Sequence, residues 1–78
     1  MTNYCWYYHD RTAGAYHAIE RHATGPSRSY RAVFCLDPET GKGRSYTGPL
    51  PTKAAAAAVL QHLAPEAEPL PGPPAYMR

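Results

Sequence analysis

The stretch Thr52 to Ala64, TKAAAAAVLQHLA, leaves the least conformational choice of any in the chain. Consecutive alanines have the highest intrinsic helix propensity, and Lys53, Leu60, Gln61 and Leu63 add no strong breaker. Thr52 supplies an N-cap hydroxyl, Pro51 stops whatever precedes it, and Pro65 prevents continuation, which predicts a helix from Lys53 to Ala64. Helical spacing puts Ala56, Val59, Leu60 and Leu63 on one stripe, with Lys53, Ala57 and Gln61 opposite. Much of the apolar stripe is only methyl-sized, so the helix should lie close against a broad, flat partner. The tyrosine-rich chain before it is the one candidate for that partner.

With 78 residues, the chain is expected to make one small domain whose single core yields a few kcal/mol of net stability. Large aliphatic residues are few, so Trp6 and several of the seven tyrosines must supply core area. The net charge of +2 favours an anionic partner only slightly. Its distribution is more informative, because Arg21, Arg28, Arg31, Lys42, Arg44 and Lys53 lie mid-chain, while Glu66 and Glu68 sit near the end. No apolar run approaches the roughly 20 residues a membrane span needs. The opening MTNYCWYY is not a signal peptide, so a cytoplasmic location is expected. In that compartment Cys5 and Cys35 are expected to be free, small core residues rather than a disulfide.

Residues 3–9, NYCWYYH, are dense in strand-forming aromatics, with Tyr4, Trp6 and Tyr8 on one face and Cys5, Tyr7 and His9 on the other. Asp10 to Gly14 reads as a turn. Ala15 to His22, AYHAIERH, fits a strand or a short helix; Gly14 sits badly in a first helical turn, which favours the strand. A loop from Ala23 to Ser29, carrying Gly25-Pro26 and Arg28, is expected to follow. Tyr30 to Leu36 alternates cleanly, Tyr30, Ala32, Phe34 and Leu36 on one face against Arg31, Val33 and Cys35. Asp37-Pro38-Glu39-Thr40-Gly41 is turn chemistry, and it returns the chain into a strand over residues 42–47. Residues 65–78 hold five of the nine prolines and are expected to be extended, to add little stability, and to dock, if at all, through Leu70 and Tyr76.

The expected fold is therefore α+β: residues 1–64 form an antiparallel four-stranded sheet with one C-terminal alanine-rich helix on one face, and 65–78 a proline-rich tail. The order β-α-β-β-α is the alternative if Ala15 to His22 is helical.

The candidate sites are few. Gly41-Lys42-Gly43-Arg44-Ser45 lacks the earlier glycine and the following helix of a phosphate loop, so it reads as a hairpin. Four histidines and two cysteines show no metal-ligand spacing, and no cofactor motif is present. His17 with Glu20, or His9 with Asp10, would make acid–base pairs, but neither has motif support, which leaves enzyme as the weakest class. What remains is a surface. Arg28-Ser29-Tyr30-Arg31 and Arg44-Ser45-Tyr46 interleave cations with flat rings, as a nucleic-acid face requires. Tyr and Arg also carry binding energy at protein interfaces. The plainer reading puts the tyrosines in the core and the arginines in water. Since the helix covers one face only, Arg31 should point to the open face, beside Arg44, with Arg28 at the strand edge and Tyr7, Tyr46 and Lys42 completing a cationic, aromatic patch.

The order from Tyr30 onward, a hairpin and then an alanine-rich helix opening Pro51-Thr52-Lys53, resembles the second half of a double-stranded-RNA-binding domain. Gly48-Pro49-Leu50-Pro51-Thr52-Lys53 stands where that family has a glycine-serine-lysine cluster, and only Lys53 of the basic run is retained. The strand pattern ending in this helix is also similar to the sheet of plant-type and integrase three-stranded DNA-binding domains. In size, architecture and Arg/Tyr-rich surface, the chain resembles small phage-encoded inhibitors of the anti-CRISPR kind. That resemblance implies a non-enzymatic blocker whose partner is a host protein or ribonucleoprotein complex; direct nucleic-acid binding is the alternative, and neither involves a membrane.

Overall fold

The computed structural model describes residues 4–24 and 27–74, and for residues 4, 5 and 24 the backbone alone. The turn at Gly25-Pro26, the Cys5 side chain and Tyr76 therefore lie outside the described residues. The chain runs β1 (Tyr4–Asp10), β2 (Ala15–Thr24), β3 (Ser27–Leu36), β4 (Gly43–Tyr46), α1 (Lys53–Leu63) and β5 (Ala67–Leu70). The sheet has the order β4-β3-β2-β1-β5, with every neighbouring pair antiparallel. The α+β class and the helix that follows four strands are as expected, and the ambiguous Ala15 to His22 segment is strand.

The first correction is the strand count, which is five rather than four. The extra strand comes from the proline-rich segment: Ala67–Leu70 pairs with β1 through Tyr7 opposite Leu70 and Asp10 opposite Ala67. Pro69 is tolerated because β5 is an edge strand, where a missing N–H is harmless if it faces away from the sheet.

The hairpins follow from local chemistry. Asp10 Oδ1 accepts from the Ala13 N–H at 3.1 Å and closes the β1–β2 turn. Between β3 and β4, Asp37 Oδ1 accepts from the Glu39 N–H at 2.8 Å, and Gly41 takes φ 73°, which a glycine adopts without cost. Gly43 is required for a different reason: a Cβ there would collide with Val33 Cγ1. The absence of that atom lets β4 lie tight against β3.

Thr52 caps α1, its hydroxyl accepting from the Ala55 N–H at 3.1 Å, and the helix stops one residue before the expected end, with Ala64 as C-cap. The buried row is Ala56, Leu60 and Ala64, laid over Tyr8, Ile19 and Ala32, with Trp6, Tyr30, Phe34 and Leu50 around it. Leu63, expected inside, is 63% exposed, and Ala57, expected outside, packs against the core. The cause is β5. The Ala67 N–H donates to the Ala64 carbonyl at 3.0 Å, and both alanines are buried. Turning the chain back toward β1 draws Ala64 inward and rotates Leu63 out.

A second correction concerns β3. Tyr30, Ala32 and Phe34 face the helix as expected, but Leu36 packs with Ala18 and Val33 on the opposite side. Cys35 sits at φ 56°, a left-handed conformation uncommon outside glycine, and the alternation breaks there. Cys35 is accordingly exposed, not a core residue.

Two outcomes follow for stability. Leu60→Ala should cost about 2–4 kcal/mol in urea melts, and Leu63→Ala only a few tenths; equal costs would put the wrong face inward. Deleting residues 66–78 removes β5 and uncovers Ala64, so the melting temperature should drop by about 10 °C or more. An unchanged melt would mean that β5 contributes nothing.

Candidate interaction face

Strand register decides which side chains share the uncovered side of the sheet. Tyr7 lies opposite Ala18 and Leu70, Ala18 opposite Val33, and Val33 opposite Tyr46, so Leu70, Tyr7, Ala18, Val33 and Tyr46 form one cross-strand row. Among the described residues no helix covers it. Ala18, Val33 and Leu36 are nevertheless buried there, with Tyr7 and Tyr16 packed against them. The sheet thus carries a second, smaller apolar cluster roofed by its own aromatics. Tyr46 ends the row at β4, 65% exposed.

Arg31 lies one row away, opposite Glu20 on β2. Its guanidinium carbon is 5.5 Å from the centre of the Tyr46 ring, a cation–π contact that lays the side chain along the sheet. Glu20 is buried, and His22 Nε2 is in contact with its Oε1. On the far side of the tyrosine row, the His9 and Tyr16 rings stack at 4.5 Å.

Of the expected site residues, Tyr7, Arg31 and Tyr46 share this face, as does Arg44 by alternation with Tyr46. Arg44 does not stand beside Arg31. Pairing of Phe34 with Ser45 and of Leu36 with Gly43 sets it level with Cys35, and Tyr46 comes between the two arginines. Arg28 alternates with Tyr30 and Ala32 and so belongs to the helix side, on the two-stranded arm where Ala23 pairs with Arg28. Lys42 is an exposed residue of the β3–β4 hairpin. It lines, with Cys35, Asp37, Thr40, Gly43 and Arg44, a shallow depression of about 320 Å³. The patch is therefore more aromatic and less cationic than alternation alone implied, and Glu20 offsets part of the charge that remains.

Sequence reasoning missed a buried polar pair on the helix side. His17 Nε2 is 3.5 Å from Asp10 Oδ2, and both side chains are almost wholly buried. His17 Nδ1 accepts from the Cys35 N–H at 3.0 Å, which places the proton of a neutral ring on Nε2, toward Asp10. The sequence neighbours His9 and Asp10, and His17 and Glu20, are not the pairs that form; Asp10 and His17 meet because the β1–β2 register sets Tyr8 opposite His17, with Asp10 two residues on. Period-two parity, which puts Asp10 and Tyr8 on one face, was the available signal. Nδ1 is thus taken up by the Cys35 N–H, while Nε2 is buried without a hydrogen-bond partner and has only the 3.5 Å approach to the Asp10 carboxylate. Among the described residues, no group of three or more His, Cys, Asp or Glu could hold a metal ion.

The Ala13 N–H, together with His17, holds the Asp10 carboxyl below its ordinary 3.8, against the opposing effect of burial. A lowered carboxylate stabilises the fold above its ordinary value and loses that contribution as pH falls through the lower folded value. Stability should therefore fall with acidification below pH 3.8, and Asp10→Asn should be less stable at neutral pH but flatter in acid. Parallel pH profiles of the two proteins in urea melts would remove Asp10 from this role. Burial likewise pushes the Tyr8 hydroxyl up.

Compared with known proteins, the chain matches no family model, no curated protein and no solved structure. No helix of the described residues is long and apolar enough to cross a membrane.

Proposed function

We propose that this chain is a non-enzymatic binding protein, an inhibitor of the phage-encoded, anti-CRISPR kind, that docks the uncovered face of its sheet on a protein–nucleic-acid complex such as a CRISPR effector. The observation that carries the reading is the exposed Tyr46 ring with Arg31 laid over it, at the end of the cross-strand row that also holds the half-buried Tyr7. Tyrosine and arginine on a preorganised surface are the residues that most often dominate protein interfaces. Direct nucleic-acid binding fits less well. The basic residues are split between the two faces, and Glu20 on β2 and Glu68 on β5 share the tyrosine side.

The test is stoichiometric titration of the protein into purified CRISPR effector complexes, read as target-DNA binding. Arg31→Ala with Tyr46→Ala should keep the circular-dichroism melt, since neither side chain is in the core, and weaken inhibition at least about tenfold. A salt-dependent mobility shift of bulk DNA or RNA by the protein alone would favour the nucleic-acid reading instead. Full inhibition by the folded double variant would move the site off this face.

A further inference from the structure

The two edges of the sheet are treated differently. β5 carries Pro69 and is flanked by Pro65 and Pro71, the usual protection of an edge against pairing with another chain. β4 has no proline between Gly43 and Tyr46, and no described strand lies beyond it. The Thr47 N–H donates to the Ala32 carbonyl at 2.9 Å, so alternation turns the backbone of Ser45 toward β3 as well. The N–H and C=O groups of Arg44 and Tyr46 then point outward, away from the sheet.

We propose that β4 is a self-association edge: two copies of this chain pair their β4 strands antiparallel about a two-fold axis through Ser45. In that register, Arg44 of one copy and Tyr46 of the other form a hydrogen-bonded pair, and the symmetric pair repeats it. Their side chains meet on the uncovered face. The Tyr46 ring, occupied on one side by Arg31 of its own chain and otherwise 65% exposed, receives the partner's Arg44 guanidinium.

Neighbouring registers are worse. Centring on Arg44 sets arginine against arginine, and centring on Tyr46 leaves Arg44 facing Gly48 and brings Pro49, which has no N–H, against Gly43. Ser45 also suits the axis sterically, since only its small side chain would meet its own copy there. The result is a continuous ten-stranded sheet, twice the five of one chain. In it the two tyrosine rows run into one surface. This association requires no third molecule, so it stands or falls apart from the docking reading.

Sedimentation velocity over a wide range of protein concentration should show a reversible monomer–dimer equilibrium. Arg44→Pro removes an outward N–H together with the guanidinium that meets the partner's Tyr46, and should raise the dissociation constant at least about tenfold while the circular-dichroism spectrum stays that of the parent. Should that variant not fold, Ser45→Cys in a Cys5→Ser, Cys35→Ser background reads the register directly. Cross-strand residues of a non-hydrogen-bonded pair have Cα atoms about 4.5 Å apart, within disulfide reach. It should oxidise to a covalent dimer much faster than Thr40→Cys, an exposed turn position in the same background. A monomer at every concentration, or equal cross-linking rates at the two positions, overturns the proposal.

Discussion

Everything else in the molecule depends on how closely α1 approaches the sheet. Ile19, Ala32, Ala56 and Leu60 have no measurable exposure, and two of those four are alanines, one on each side of the contact. Such a contact is sensitive in both directions, because a larger side chain at Ala32 or Ala56 would lift the helix and open the gap that Leu60 fills. A helix of 11 residues covers only the middle of a five-stranded sheet. The rest must close by other means. Trp6 spans toward Tyr30 at 6.2 Å with the Lys53 ammonium over its ring, and Tyr7 and Tyr16 roof the opposite face. The abundance of tyrosine is thus a consequence of having one thin helix: amphipathic rings cover apolar surface while keeping their hydroxyls wet.

What was legible in the sequence was local. Helix α1 and its cap, the β3–β4 hairpin and the clean alternation from Tyr30 to Phe34 follow from propensity, capping and period, and each stands within a residue or so of its expected place. What failed was whatever depends on a partner distant in sequence. Leu63 and Ala64 could not be ordered without knowing that β5 returns beside β1, and prolines argued against a strand there until its place at an edge was known. Leu36 was misplaced by one residue, Cys35, whose left-handed backbone no propensity scale anticipates for that side chain.

For the candidate face, the strand side of single residues was legible in the sequence, and their distances from one another were not. Alternation correctly sent Arg31 and Tyr7 to the uncovered side, and it would also have sent Arg28 to the helix side had parity been followed across the assumed loop. The distance between Arg31 and Arg44 is a matter of β3–β4 register, fixed by the hairpin and by the close approach at Gly43. Counting back from the turn with Asp37 opposite Lys42 would have placed Arg44 level with Cys35 and revealed Tyr46 as the neighbour that Arg31 stacks on.

The buried Asp10–His17 pair links the two faces in a way that composition hides. A polar group in the interior is costly without partners, and here two backbone groups supply them: the Ala13 N–H to Asp10 and the Cys35 N–H to His17 Nδ1, while His17 Nε2 has only the nearby Asp10 carboxylate. The last is the consequential one. Beyond the Ala18–Val33 pair, β3 no longer follows β2, and the ring of His17 stands in for the ladder carbonyl that the Cys35 N–H has lost. With its N–H satisfied by a side chain, Cys35 can hold its left-handed conformation, and Leu36 swings to the uncovered side to pack with Ala18 and Val33. Those two residues underlie the row that Tyr7 and Tyr46 complete. A polar pair beneath the helix therefore sets the shape of the surface on the other side of the sheet, through the one bond from the Cys35 N–H to His17 Nδ1.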